Sequence, residues 1–195
     1  MTRDAGHRDS NGLRLISLIG LPGVGKSTVG RRLARKLDWE FADCDAILEE
    51  RLQCRIREFF EVEGEARFRE IESRLLRELV ERSDTVIATG GGVVLSQANR
   101  ELLRDRTICV YLRARLESLI HRLRNDVKRP LLQGGDPEGR LRQLATEREP
   151  LYREVAGIEI EAGAHSLNAL TESIVRRLPA STGPSAAGAS GNTAR

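Results

Sequence analysis

The stretch "LRLISLIGLPGVGKSTVGRRLARKL", residues 13 to 37, joins a short apolar run to an amphipathic segment through a glycine-bearing loop. The run ends at Gly20, and Val29, Leu33 and Leu37 then recur at helical spacing, so the segment reads as strand, loop and helix beginning near Lys26. Gly20, Gly25, Lys26 and Ser27 satisfy G-x-x-x-x-G-K-[ST] where the mechanism of that motif needs them. Glycines let such a loop curl its N–H groups into a nest around a phosphate, and the helix N-terminus adds the positive end of its dipole. In such loops the lysine reaches β- and γ-phosphate oxygens and the hydroxyl that follows it ligates Mg²⁺. The expected ATP-binding set is Gly23, Val24, Gly25, Lys26, Ser27 and Thr28. A plain tight turn at Gly20 and Pro22 is the alternative.

Moving outward, four further apolar runs follow: "WEFADCD" (39–45), "TVIATG" (85–90), "TICVYL" (107–112) and "IEIEA" (158–162). Helical patterns lie between and after them, with Ile71, Leu75, Leu76 and Leu79 on one face and further helices expected across 114–124, 138–147 and 167–178. This alternation predicts a three-layer α/β/α domain with a parallel sheet and right-handed crossovers. Ligands in such domains bind beyond the carboxyl ends of the strands. The triplet Gly90, Gly91 and Gly92 falls at that edge, where bare backbone leaves room for something to lie against it.

Composition narrows the classes. The chain has 195 residues and is 39% hydrophobic, enough for one domain with a sizeable core. Lys plus Arg total 32 against 29 Asp plus Glu, a net +3, and aromatics are 4%, which argues against a nucleic-acid partner. No run approaches the roughly 18 apolar residues of a membrane span, and three cysteines without CxxC spacing suit a reducing compartment, so a cytoplasmic protein is expected, with a monomer as the default. Residues 1–12 and 179–195 are small and polar and are expected to be disordered tails around a domain at 13–178.

Beyond the phosphate loop, Asp43 and Asp45 flank Cys44 at the end of the presumed second strand. Asp43 is a candidate to hold Mg²⁺ through water, and Asp45 to orient or deprotonate an acceptor hydroxyl. Alternatively, Asp45 caps the helix that starts with "AILEERL". In "GEARFREIESRLL", Arg69 and Glu72 are i, i+3 neighbours whose pairing would fix a guanidinium, though a solvated charged face is the plainer reading. Residues 124–140, "RNDVKRPLLQGGDPEGR", read as a mobile cover whose Arg129 could swing onto ATP, and Arg148 precedes Pro150, where helix is expected to end or kink.

Together, "GLPGVGKSTVGRRLA", "FADCDAILE", "GEARFREIE", "ATGGGVV", "VKRPLL" and "REPLYREVA", in this order, resemble shikimate kinase, in the nucleoside-monophosphate-kinase-like branch of P-loop proteins. The resemblance spans residues 13 to 178 and implies a five-stranded parallel sheet, a lid and ATP-dependent phosphorylation of the shikimate 3-hydroxyl, in the chorismate route to aromatic amino acids. It implies that Asp45 contacts the acceptor hydroxyls, that Arg69 and Arg148 clamp the carboxylate, and that Gly91, with Gly92 shaping the bend, offers backbone amide. Arg129 becomes the lid arginine and Arg122 the residue along the adenine. Side chains at 90–92 would then occupy the place of the substrate ring. Phe59, Phe60 and Phe68 are candidates to wall that ring or to join the core, and His165 falls near a possible second adenine contact. Related gluconate and nucleoside-monophosphate kinases are rivals against which the glycine triplet and "RPLL" weigh, and a catalytically silent nucleotide-binding module is another.

Overall fold

The computed structural model describes residues 13–123, 136–163 and 166–182. Its strands β1 (Leu15–Ile19), β2 (Glu40–Asp43), β3 (Thr85–Ala88), β4 (Ile108–Arg113) and β5 (Ile158–Glu161) make one parallel sheet in the order β2-β3-β1-β4-β5. Every residue of β1 and β3 is buried, as expected of central strands covered on both faces. The covering helices are α1 (Lys26–Leu37), α2 (Cys44–Leu52), α3 (Ile56–Leu79), α4 (Gln97–Arg106), α5 (Leu116–Leu123), α6 (Pro137–Val155) and α7 (Leu167–Val175). α1 packs on α7, and α4 and α5 pack on α6, giving the three layers. Val29, Leu33 and Leu37 of α1 are each at most 2% exposed, and burial of such side chains stabilises by roughly 1.5–3 kcal/mol apiece.

Two features of the sheet place the site. In register, Asp43 pairs with Ala88 and Ala88 with Leu18, so the loops after β1, β2 and β3 leave the sheet level with one another. The chain also switches sides of β1 between β3 and β4, and the crevice above such a switch point is where open α/β sheets take ligands. Polar groups beneath are satisfied: Ser17 and Thr107 share a hydroxyl contact of 2.7 Å, and Thr107 donates to the Leu103 carbonyl at 2.6 Å.

Several expectations change. The second strand stops at Asp43, and it is Asp43, not Asp45, that caps α2, its Oδ1 accepting from the Ala46 N–H at 3.4 Å. With helix starting at Cys44, the two aspartates do not share a strand face. α4 was not anticipated, since of its residues only Asn99 and Leu103 are buried and the apolar period is faint; Ser96 caps it. α6 runs on through Pro150 rather than ending there, at the cost of the one helical hydrogen bond that proline cannot donate. Of the proposed cover, residues 124–135 lie outside the described residues, whereas Asp136 caps α6 and 137–140 form its first turn. The ordered chain also passes the expected boundary at 178, with a 3₁₀ turn at Ala180–Thr182 and Thr182 1% exposed.

Candidate active site

The phosphate loop is built by burial and backbone twist. Leu21 and Val24 are each 3% exposed and peg the loop to the core. Gly25 enters α1 at φ 100°, a left-handed conformation that L side chains resist, and α1 has neither a side-chain cap nor an acidic residue in its first turn. The N–H groups of that turn are thus left to an anion. Lys26 is 8% exposed, and its ammonium donates to the Gly20 carbonyl at 2.8 Å and the Leu21 carbonyl at 3.2 Å, which holds the charge over the loop. Gly23 and Ser27 are half-buried and Thr28 is exposed.

Next to the loop lies a cluster of charges on the glycine triplet. A β-carbon at Gly90 would sit 2.4 Å from Glu72 Oε1 and 3.1 Å from Asp45 Oδ1; one at Gly92 would sit 2.4 Å from the Arg69 guanidinium. At Gly91 the nearest atoms belong to Pro22, at 3.3 Å, and the Gly20 carbonyl, at 3.6 Å. The glycines therefore make room first for the chain's own Asp45, Glu72 and Arg69. That differs from the expectation that side chains there would displace substrate directly. The Gly20 carbonyl that Lys26 holds is also the one that faces Gly91, so cradle and cluster share a wall.

Arg69 is clamped from three sides. α3 is broken at Gly64 (φ 81°, ψ 164°), and beyond that kink Arg69 donates from Nη1 to Glu72 at 2.7 Å and from Nη2 to Glu65 at 2.7 Å, with Nε on the same Glu65 oxygen at 3.2 Å. Its guanidinium carbon lies 5.4 Å from the Phe68 ring centroid and 6.0 Å from that of Phe60. Phe68 is core, 2% exposed, and Phe59 and Phe60 are half-buried against it. Three of the five guanidinium donors are taken, so two remain for a ligand oxygen.

Glu72 is 3% exposed, and only one of its oxygens has a partner. Burial pushes its carboxyl above the usual range, against the pull of Arg69. Burial also opposes the charge of Arg69, but Glu72 and Glu65 more than offset this and hold the guanidinium protonated. Beneath them the Cys44 thiol is held well above its ordinary value by burial and then by Asp45, Glu72 and Asp43. Arg148, on α6, is 3% exposed with its Nε unpartnered, and its charge bears on both Glu72 and Tyr152. Arg148 also hydrogen-bonds the Tyr152 hydroxyl, and a buried guanidinium whose Nε is left unpartnered suits a site that receives an anion.

The sequence reading passed over Tyr152. Its hydroxyl donates to the Gly91 carbonyl at 2.5 Å, and it is fully buried with its ring stacked on Tyr111 at 5.2 Å. Tyr152 follows Arg148 by one helical turn, and that i, i+4 spacing was the available signal. Glu72 was seen only as a partner for Arg69. Arg122 is exposed on α5, and no hydrogen bond or ion pair described here joins it to the cluster. Arg129 and His165 lie outside the described residues.

The donor set at this edge fits Mg²⁺. Among the described residues no three His, Cys, Asp or Glu side chains are grouped as a metal cage. Mg²⁺ bound beside phosphates keeps several waters and uses one or two protein oxygens, and the Ser27 hydroxyl and the half-buried Asp43 carboxylate are oxygens of that kind.

The sequence profile of shikimate kinases matches residues 22–179. The chain belongs to the shikimate kinase family. The shikimate kinase of Bordetella avium (strain 197N) is 48% identical over 165 residues, which cover 85% of this chain and 79% of that one. Among solved structures, the shikimate kinase from Acinetobacter baumannii in complex with shikimate aligns with a TM-score of 0.82 at 43% identity, covering 85% of this chain and 93% of that one. The shikimate kinase from Bacteroides thetaiotaomicron aligns at 0.76 and 34% identity, covering 85% and 96%. The five-stranded parallel sheet is that of a P-loop kinase, and the cluster stands at its carboxyl edge.

Proposed function

We propose that this chain transfers the γ-phosphoryl group of ATP to the 3-hydroxyl of shikimate, giving shikimate 3-phosphate and ADP, in the crevice above β1. One observation carries the assignment of the acceptor side: a buried arginine with an unpartnered Nε, a second arginine with donors to spare, and an exposed carboxylate converge on a glycine bend that abuts the phosphate loop. Such a set suits a small anion rich in hydroxyls. Arg69 and Arg148 bind the carboxylate, and Asp45 accepts from the ring hydroxyls; charge-assisted bonds of this kind are worth roughly 1.5–3 kcal/mol each. Gly91 and Gly92 contribute main chain at the bend.

On the donor side, the loop from Gly23 to Thr28 cradles the phosphates, and Lys26 follows the charge that moves onto the bridging oxygen. Ser27, directly, and Asp43, through water, would hold Mg²⁺, which would supply neutralisation of phosphate charge. Asp45 orients the attacking hydroxyl and takes its proton, a task that needs little base strength because phosphoryl transfer passes through a loose transition state. Arg129 serves as the lid arginine, Arg122 packs along the adenine, and closure keeps water from the γ-phosphate. Three free cysteines agree with a protein of a reducing compartment such as the cytoplasm.

The deciding experiment is a coupled ADP-release assay with Mg·ATP and a panel of shikimate, gluconate and AMP. Turnover is expected with shikimate alone. Turnover with gluconate or AMP in its place removes the assignment, and ATP binding without turnover of any acceptor favours a silent nucleotide-binding module.

A further inference from the structure

The bend at the glycine triplet is a hydrogen-bonded turn, with the Val93 N–H on the Gly90 carbonyl at 3.3 Å. Gly92 stands at φ −99°, ψ 0° and Gly91 has no positive φ, which is a type I turn with these two glycines at its centre. A type II turn closes the same four residues with the central peptide reversed, and it asks for a left-handed residue at the third position, which Gly92 could supply. Two adjacent glycines therefore leave the Gly91–Gly92 peptide with little intrinsic preference. One side chain among the described residues donates to its carbonyl, and that is Tyr152.

We infer that Tyr152 is a positioning residue for the acceptor: its hydroxyl holds the Gly91 carbonyl toward α6 and so keeps the central peptide of this turn in one of its two orientations. In a trans peptide the carbonyl of one residue and the N–H of the next point in opposite directions, and the chain described here has no cis bond. Fixing the Gly91 carbonyl on Tyr152 therefore aims the Gly92 N–H away from α6. Among the described residues no backbone hydrogen bond outside the helices and strands is donated by the Gly91 or the Gly92 N–H. Reversal of the peptide would put a carbonyl oxygen where the Gly92 N–H had been, replacing a donor by an acceptor in front of an oxygen-rich anion. Tyr152 is well suited to hold the peptide, being 0% exposed, stacked on Tyr111 at an interplanar angle of 28° and one helical turn from Arg148. α6 thus sets both the arginine and the glycine bend. Burial raises the phenol above its usual range, so it remains a donor throughout the working pH range.

This inference rests on the acceptor reading above, and its test separates the two. Tyr152→Phe keeps the ring and removes the hydroxyl together with its hydrogen bond to Arg148, so a rise in KM without the change of turn read below overturns the inference; Tyr111→Phe removes a neighbouring hydroxyl from the same stack and serves as the control. The KM for shikimate is expected to rise about three- to tenfold in Tyr152→Phe, the effect of one lost hydrogen bond, with the KM for ATP unchanged and Tyr111→Phe like the parent. An equal rise for both substrates, the same rise in Tyr111→Phe, or no rise overturns the inference. The Gly91 Hα to Gly92 HN Overhauser effect, weak in a type I turn and strong in type II, is read in parallel. It is expected to be weak in the parent and to strengthen in Tyr152→Phe. A strong effect in the parent overturns the inference even if the variant does not fold, and it can be read whether or not the parent turns over shikimate.

Discussion

Lys26 sits on the Gly20 carbonyl of the phosphate loop and Asp45 beside Gly90, so in the proposed reaction their removal is expected to separate the donor half from the acceptor half. Lys26→Ala withdraws charge from the transferring phosphoryl and is expected to lower kcat by about two to three orders of magnitude, the usual cost of losing one such donor. Asp45→Asn keeps the shape of the first turn of α2, so binding of a non-hydrolysable ATP analogue should persist while turnover falls roughly a hundredfold or more. Near-normal turnover of the Asn variant in the ADP assay would return Asp45 to an ordinary position in that turn. Glu72 adds a pH signature. Its carboxyl is raised from 4.5 by burial, so its contribution to stability is present below that value and is lost as pH rises through the raised one. Gln does not titrate. The melting temperature of the parent minus that of Glu72→Gln should therefore fall as pH climbs from below 4.5, and a flat difference would show that Glu72 titrates normally. The same variant releases one of the two carboxylates on Arg69, and its KM for shikimate should rise.

At the scale of elements, the glycine bend and the kinked α3 make opposite demands on glycine. In the bend the constraint is space. Gly90→Ala drives a β-carbon to 2.4 Å from Glu72, and overpacking of this kind typically costs about 1–3 kcal/mol. It should also displace Glu72 and with it Arg69, so shikimate affinity falls while ATP affinity is kept. Gly91→Ala meets Pro22 at 3.3 Å and the Gly20 carbonyl at 3.6 Å, and should be milder in thermal melts and kinetics; equal effects at the two positions would contradict this packing. In α3 the constraint is backbone alone. A β-carbon at Gly64 would have no atom within 4 Å, yet its φ of 81° with ψ 164° is a region essentially reserved to glycine and costs any L residue about 1–3 kcal/mol. Gly64→Ala should destabilise by that amount in denaturant titration, and a stabilised variant would mean that α3 straightens.

At the scale of the whole molecule, the described residues leave little large apolar surface exposed. Among the described residues only Val62 and Leu167 are large, hydrophobic and exposed, and they are single positions rather than a patch. The chain is expected to elute and scatter as a 21.7 kDa monomer; a dimer mass by light scattering would contradict this. Much of this organisation can be traced to local sequence. The phosphate loop, the five strands and the buried face of α1 follow from near neighbours, because strand and helix periods and positive-φ glycines act over a few residues. From residues alone, Asp45 is a candidate for the acceptor hydroxyl with a helix cap as the alternative, Arg69 has a solvated face as its plainer reading, and resemblance to a family adds the substrate contacts of both. Only the tertiary structure decided that Asp43 takes the capping role, that Glu72 is buried against Gly90, and that Tyr152 reaches the Gly91 carbonyl across 61 positions of chain. The physical reason is that such meetings depend on how the crossovers bring α3 and α6 to one sheet edge, and no local spacing encodes the distance between side chains that far apart.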